Sequence, residues 1–202
     1  MHIVVKADAQ QKQAFLEKGL PEDVSVSFFD TSHIIPDADA YFDLCFEEDG
    51  AVFSNIANLP VFVNAVIATG KELPSNYIRI NAWDGFLKRD IIEIVAADSQ
   101  IINLAMLDAW GWKYQLVPDV PGMIAGRVIA MIINEAYFGL GDEISTKSEI
   151  DIAMKLGTNY PYGPFEWSEK IGLKKIYTLL KKLGETDSRY EVAPALEKEI
   201  LV

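Results

Sequence analysis

The stretch KLGTNYPYGPFEWSEKIGL, residues 155–173, determines how the second half of this chain folds. Pro161, Gly163 and Pro164 interrupt a helical pattern there, and aromatic residues lie between and after them. Proline fixes φ, has no N–H to donate, and disfavours the helical conformation in the residue before it. The stretch therefore predicts a rigid, aromatic elbow between two helices.

Helical patterns lie on both sides of this elbow. Before it, STKSEIDIAMKLG contains a capping box, in which Glu149 follows Thr146 by three residues, and Gly157 is a suitable C-terminal residue. After it, residues 171–185 place apolar side chains on one helical face and lysines on the other. The sequence APALEKEILV, residues 193–202, predicts one more short helix.

A longer helix is predicted over residues 121–143, PGMIAGRVIAMIINEAYFGLGDE, with Pro121 in its first turn. From Val128 to Ile133 the pattern is apolar on every side. A helix without a polar face belongs in a core or in an oligomer interface. The segment predicts a homodimer built on this domain, and burial within one chain is the alternative.

The first half of the chain alternates short β-rich runs with polar connections. Strand-like runs lie at residues 2–5, 24–29, 39–46, 61–69, 77–83, 91–97 and 113–117. Only two connections, 9–19 and 99–111, are long enough for a full helix, whereas 46–60 and 70–76 are typical of loops. This alternation favours an α/β fold with a largely parallel, sparsely covered sheet over residues 1–117, followed by an all-α domain over 118–202.

Charge and composition restrict the possible functions. Residues 1–117 contain 17 acidic and 8 basic residues, a balance of −9 within a total of −12. An acidic domain of this kind argues against nucleic acid as a partner. No apolar run reaches the length of a membrane span. Cys45 is the single cysteine, which predicts a buried structural thiol and a cytoplasmic location.

Three segments together resemble the C-terminal domain of the 3-hydroxyacyl-CoA dehydrogenases: DVPGMIAGRVIAMIINEA, STKSEIDIAMKLG and YPYGPFEWSEKIGL. The resemblance covers residues 119–175 and continues more weakly through 39–118. It implies an oxidoreductase family of fatty acid metabolism, in which a Rossmann domain binds NAD. It also implies an all-helical domain that dimerises and closes over an acyl-CoA.

The elbow residues have two interpretations under this resemblance. Pro161, Gly163, Pro164 and Phe165 are interpreted first as elbow and core packing. Direct contact with the substrate is the alternative, and it makes Gly126, Pro164 and Phe165 the candidate substrate-binding residues.

The dinucleotide site of the family is not matched. A Rossmann fold holds NAD on a glycine-rich turn after its first strand, because a side chain there blocks the approach of the phosphates. Here residues 6–11 contain no glycine, and Asp8 would place a carboxylate where the pyrophosphate lies. Asp30 falls where an acidic residue would bind the ribose, but a turn role is the alternative. The CoA-holding segment is shortened to residues 30–38.

The catalytic positions of the family are also mostly changed. The resemblance places the orienting glutamate at Glu93 and the catalytic histidine at Asn81. An amide cannot accept a proton near neutral pH. The positions that orient the thioester fall near Ile67 and on Gly126. One of four catalytic positions is therefore kept.

Other residues are weaker candidates for the missing base. His2 opens the first strand and His33 lies in a loop, so both are interpreted as surface histidines. Asp84 follows Asn81 by three residues, but a carboxylate of ordinary pKa is a weak base for an alcohol. For Glu93 we also weigh a structural role, paired with one of the nearby arginines, Arg79 or Arg89.

These observations favour a 3-hydroxyacyl-CoA dehydrogenase homologue that has lost NAD-dependent chemistry, in other words a pseudoenzyme. It would keep a homodimeric scaffold and a pocket for an acyl group or small metabolite, with no cofactor and no metal. The alternatives are an active oxidoreductase with a rearranged site and a binding module that holds an apolar metabolite without turnover.

Overall fold

The computed structural model describes residues 1–30 and 34–201. The chain divides into two compact units, Met1–Met123 and Ile124–Val202. The first unit contains a sheet of seven strands in the order β2-β1-β3-β4-β5-β6-β7. These are β1 His2–Lys6, β2 Ser25–Phe28, β3 Ala40–Asp43, β4 Val61–Asn64, β5 Tyr77–Ile80, β6 Ile91–Val95 and β7 Lys113–Leu116.

The predicted α/β class with a mostly parallel sheet is confirmed. All pairings are parallel except that of β5 with β6. Helix α1, Ala9–Glu17, connects β1 to β2, while a 3₁₀ segment, Asp98–Leu104, and α3, Ala105–Ala109, connect β6 to β7. Within the described residues, the other connections contain only the single-turn helix α2, Phe46–Asp49, and a 3₁₀ turn, Gly70–Glu72. The sheet is therefore sparsely covered, as the connection lengths predicted.

Several strands end earlier than their apolar runs. The runs 39–46, 61–69, 77–83 and 91–97 stop pairing at Asp43, Asn64, Ile80 and Val95. The residues beyond these ends stay apolar because they are buried in the turns that leave the sheet. Hydrophobicity marks burial and not ladder hydrogen bonds, so it overestimated strand length. Cys45, predicted to be buried, is a buried free thiol in one of these turns.

The second unit is helical throughout its described residues. It contains α4 Ala125–Gly141, α5 Lys147–Thr158, α6 Pro164–Ile171, α7 Leu173–Gly184 and α8 Pro194–Ile200. In the part of the chain that the structure describes, none of these or the other helices is both long and apolar enough to cross a membrane.

Two helix ends differ from the prediction. Helix α4 begins at Ala125 and not near Pro121, because Gly122 and Met123 have φ values of 81° and 49°. Left-handed residues cannot belong to a right-handed helix. Helix α5 begins at the predicted capping box of Thr146 and Glu149 but passes through Gly157 to Thr158. Its left-handed cap is Asn159, with φ of 56°, a conformation that asparagine tolerates.

The elbow between α5 and α6 has a specific polar anchor. The buried Asp151 carboxylate accepts hydrogen bonds from the N–H groups of Phe165 at 2.8 Å and Glu166 at 3.3 Å. The Glu166 carboxylate accepts in turn from the N–H of Gly163 at 2.9 Å and pairs with Lys155. These contacts satisfy the donors of the first turn of α6 and fix the angle between the helices.

We expect Gly163→Ala to lower the free energy of unfolding by about 2–3 kcal/mol. A Cβ at residue 163 would lie 2.2 Å from the Asp151 carboxylate, which has no room to move without losing its bonds to α6. Gly157→Ala is the matched control, because nothing lies within 4 Å of its added Cβ and alanine favours a helix by about 0.5–1 kcal/mol. Urea unfolding of both variants measures the difference, and equal stabilities would contradict the assignment.

Candidate functional site

Parallel strands bring their carboxyl ends to one edge of the sheet, and the chain changes winding direction between β1 and β3. From β1 the chain continues to β2 on one side, and β3 lies on the other side. In open α/β sheets, ligands bind in the crevice outside the carboxyl ends at such a switch point. The residues that follow β1, β3, β4 and β5 therefore form the candidate functional site.

The turn after β1 is closed by an aspartate. Asp8 is the N-cap of α1, and its carboxylate accepts the N–H of Gln11 at 2.8 Å. The Gln11 side chain accepts the N–H of Asp8 at 3.0 Å and donates to the carbonyl of Leu44 at 2.7 Å. A phosphate brought to this helix N-terminus would meet a carboxylate that already occupies it. A turn that binds pyrophosphate instead leaves the backbone N–H groups at the helix N-terminus free to donate to the phosphate oxygens.

A buried charge cluster lies at the switch point itself. Lys6, the last residue of β1, is the register partner of Asp43, the last residue of β3. Both are buried, and the Lys6 ammonium pairs with Asp49 of α2 at 2.6 Å. Asp43 Oδ2 accepts the N–H of Val52 at 3.3 Å. In the described part of the chain, Asp43 Oδ1 and the Tyr77 hydroxyl are buried without a hydrogen-bond partner.

Burial sets the ionisation of this cluster. It raises the pKa of Asp43 to about 6, although the N–H of Val52 and the Lys6 ammonium oppose the shift. Burial, followed by the Asp43 charge, raises the pKa of Tyr77 to about 12. Burial, with nearby acids, also raises the pKa of Cys45 to about 11, so its thiol is a poor nucleophile.

A second carboxylate of α2 reaches the ends of β4 and β5. Glu47 accepts the backbone N–H of Ile67 at 2.7 Å and the indole N–H of Trp83 at 2.6 Å. Ile67 is near the position that the family resemblance assigns to a substrate-orienting serine. Trp83 is fully buried, and Phe86 nearby in sequence is also buried. The donors at this point are thus satisfied by the protein's own acid.

Asn81 and Glu93 lie in contact. The family resemblance gives the histidine position to Asn81, which is substituted, and the glutamate position to Glu93, which is retained. Asn81 Nδ2 donates to Glu93 Oε2 at 3.1 Å, and the N–H of Asn81 donates to the Glu93 carbonyl at 3.1 Å. The twelve-residue spacing arises because β5 and β6 form an antiparallel pair. Asn81 is only 1% exposed. The arrangement has the geometry of a base and its orienting acid, but an amide has no proton-accepting role to orient.

Arg79 is paired differently from the suggested contact with Glu93. Its buried guanidinium pairs with Asp119 and donates to the carbonyls of Ala65 at 2.8 Å and Val66 at 3.1 Å. Asp119 also accepts the N–H of Gly70 at 2.9 Å. This clamp joins the loop after β4 to the segment after β7. No periodic pattern in the sequence predicts this clamp, because it links residues forty positions apart.

The candidate substrate residues lie in the helical unit. Gly126 is buried in the first turn of α4. Pro164 is the first residue of α6, and Phe165 packs edge-on against Tyr137 with ring centroids 4.9 Å apart. Phe165 is 3% exposed. This placement is consistent with elbow and core packing; substrate contact by Gly126, Pro164 or Phe165 stays a prediction.

The remaining candidates lie elsewhere. The His2 ring forms hydrogen bonds with the Asp37 carbonyl and the Ser27 hydroxyl, both at 2.9 Å, at the start of β1. His33 lies outside the described residues. Asp30 is exposed after β2. Among the residues that the structure describes, no group of three or more His, Cys, Asp or Glu side chains is placed to hold a metal ion.

Comparison with known proteins supports a family assignment. Residues 122–201 match the model of the 3-hydroxyacyl-CoA dehydrogenase C-terminal domain. A 3-hydroxyadipyl-CoA dehydrogenase of Escherichia coli is 40% identical over 88 residues, which are 43% of this chain and 18% of that protein. A probable 3-hydroxybutyryl-CoA dehydrogenase of Bacillus subtilis is 27% identical over 154 residues, which are 73% of this chain and 53% of that protein. The chain thus spans about half or less of these two relatives.

Solved structures give the same fold across both units. The (S)-3-hydroxybutyryl-CoA dehydrogenase of Ralstonia eutropha aligns with a TM-score of 0.74 at 15% identity, over 99% of this chain and 93% of that one. This likeness shows a two-part fold with an α/β unit and a helical unit. The matches in sequence support the resemblance to the 3-hydroxyacyl-CoA dehydrogenase family, and they place residues 122–201 with its C-terminal domain.

We expect the stability of the protein to fall as pH rises through the range in which Asp43 titrates, from about 4 to about 6. The folded state holds the Asp43 proton to about pH 6, whereas the ordinary value is 3.8. A raised folded pKa therefore adds stability at low pH that is lost between these two values. Asp43→Asn should not show this loss. Its free energy of unfolding, relative to wild type, should therefore increase by on the order of 2 kcal/mol as pH rises from about 4 to about 7.

Urea unfolding at several pH values measures this difference, with Glu22→Gln at an exposed position as the control. A difference between Asp43→Asn and wild type that does not change with pH would contradict the burial of an ionised Asp43.

Proposed function

We propose that this protein is a 3-hydroxyacyl-CoA dehydrogenase homologue that has lost NAD-dependent dehydrogenase chemistry. It would act as a dimeric scaffold that binds a metabolite without turnover. The observation that carries the proposal is the capping box at α1, in which Asp8 occupies the helix N-terminus after β1. The relatives are dehydrogenases by name, but each is matched over only part of its length.

Electrostatics supports the loss of dinucleotide binding. Two like charges about 4 Å apart repel by about 4 kcal/mol at an effective dielectric of about 20. A pyrophosphate at α1 would meet Asp8 in this way, which corresponds to about a thousandfold in affinity. Asp8 would also have to give up its bond to Gln11, at 2.8 Å, before the helix could offer its donors. The residues at this turn do not fit NAD.

A second, independent defect concerns the proton. Removing hydride from an alcohol requires a base for the hydroxyl proton, and such a base must accept it near neutral pH. Asn81 stands beside Glu93 at the dyad position, and its amide donates to that carboxylate. In this contact Glu93 accepts a hydrogen bond from the Asn81 amide and has no basic side chain at position 81 to orient. Two unrelated changes, one in binding and one in chemistry, favour a protein that no longer performs the reaction.

We expect no NADH binding in the micromolar range when nicotinamide fluorescence is followed during a titration. Asp8→Gly removes the charge but should still leave NADH binding outside the micromolar range, because the other residues of the turn are not glycine either. Asp8→Asn is the matched control, since asparagine keeps the helix cap without the charge. A dissociation constant in the low micromolar range for the unmodified chain would overturn the proposal.

The proposed scaffold is a homodimer through the helical unit. Val128 is 52% exposed, and Met131 and Ile132 are half-buried, so the segment 128–133 is apolar on every side but not covered on every side. These residues line a groove of about 630 Å³. An uncovered apolar helix face is the expected surface for a second copy.

Charge supports one geometry for that dimer. Arg127, Met131 and Glu135 follow one another at intervals of four along α4, and all three line the groove. Arg127 Nε is buried without a hydrogen-bond partner in the described residues. If two α4 helices pack antiparallel about Met131, Arg127 of each copy lies opposite Glu135 of the other. Ion pairs would then satisfy both ends of the interface.

We expect Arg127→Glu and Glu135→Arg each to weaken the dimer, because each places like charges opposite one another. A mixture of the two variants should dimerise again, because each variant then presents the charge that the other lacks. The doubly substituted chain should also dimerise. Light scattering measures these masses, and Ile132→Asp is a disruptive control. A single-chain mass for the unmodified protein at micromolar concentration would rule the dimer out.

A further inference from the structure

Three donors at the carboxyl edge of the sheet take their acceptors from one short helix. The Lys6 ammonium pairs with Asp49 at 2.6 Å. The N–H of Ile67 and the indole N–H of Trp83 donate to Glu47 at 2.7 and 2.6 Å. Lys6 ends β1, and the other two donors follow β4 and β5. Three separate strand ends are therefore covered by two side chains of α2.

Helix α2 is weakly built. It has four residues, Phe46–Asp49, none of them buried, and its N-cap Cys45 makes no side-chain capping bond. Isolated helices shorter than about 12 residues are marginal in water. Glu47, Glu48 and Asp49 also place three acids in succession. Phe46 packs on the sheet, and the contacts of Glu47 and Asp49 help to hold this turn in place. Elements of this kind open more easily than the core.

Buried polar atoms without partners lie beneath α2. Asp43 Oδ1 and the Tyr77 hydroxyl have no hydrogen-bond partner among the described residues, and both side chains are at most 3% exposed. Lys6 and Asp43 are register partners on adjacent parallel strands. Buried polar atoms are nearly always paired in folded proteins, so an orphaned pair in one place calls for a bound polar group.

We infer that the carboxyl edge of β1 and β3 is a binding site for a small hydroxy-dicarboxylic acid, and that α2 covers it with Glu47 and Asp49 in the positions of the ligand carboxylates. One ligand carboxylate would pair with Lys6. The other would accept the N–H groups of Ile67 and Trp83.

The hydroxyl of the ligand would supply a hydrogen-bond donor and an acceptor for the two buried polar atoms that the ligand carboxylates do not reach. It would donate to Asp43 Oδ1 and accept from the Tyr77 hydroxyl, which satisfies both orphaned atoms. The site lies at the switch point where open α/β sheets bind ligands. The inference rests on the proposed loss of dinucleotide binding, because NAD would occupy the same edge.

The test is a titration with malate, followed by ¹H–¹⁵N correlation spectra of the full chain. The Trp83 indole signal, assigned with Trp83→Phe, and the Ile67 amide report on the site. Removing the internal competitors with Glu47→Gln/Asp49→Asn should tighten malate binding roughly tenfold or more over the unmodified chain. Glu48→Gln, on the same helix, should leave the affinity unchanged. Succinate, which lacks the hydroxyl, should bind several-fold more weakly than malate.

The inference is overturned if malate produces no saturable shift in Glu47→Gln/Asp49→Asn, or if Lys6→Met in that background binds malate equally well. If the double variant does not fold, Asp49→Asn alone takes its place, with the same expected direction. NADH titration of the unmodified chain separates the two proposals. NADH binding contradicts the proposed function, whereas the absence of both NADH and malate binding contradicts only the inference drawn here.

Discussion

N–H donors at the carboxyl edge of a parallel sheet need acceptors, and this requirement governs the construction of the first unit. Backbone and side-chain donors that lose contact with water must be paired. In this protein the pairing is done by acids of the chain itself: Asp8 at α1, Glu47 at Ile67 and Trp83, and Asp49 at Lys6. Acids of the chain itself therefore occupy acceptor positions in the crevice that the fold offers to ligands, and they contribute to the acidic balance of the unit.

The elements that sequence predicts well are those fixed by local chemistry. The Thr146–Glu149 capping box and the helix break at Pro161–Pro164 depend on residues a few positions apart, and both are present. The contacts of Glu47 and Arg79 could not be predicted, because they join residues separated by twenty to forty positions. Strand ends were overestimated for a related reason: apolar runs report burial, and burial continues past the last ladder hydrogen bond.

The dyad positions show what a family resemblance can and cannot provide. It placed the histidine position of the family at Asn81 and the glutamate position at Glu93, and the hairpin of β5 and β6 brings these two side chains to 3.1 Å. The backbone at these two positions thus holds an amide and a carboxylate in contact. The contact also stabilises the fold, because it gives the buried amide of Asn81 a hydrogen-bond acceptor.

The Arg79 clamp has a consequence for how this chain can be divided. Asp119 belongs by contact to the sheet unit although it follows the last strand, and Val117 and Met123 form a small buried cluster with Val95. A fragment that stopped after β7 would leave a guanidinium, only 1% exposed, without its carboxylate. The sheet unit is therefore separable, by recombination in evolution or by truncation at the bench, only at a cut beyond Met123. The apparent linker is structurally the last piece of the first unit.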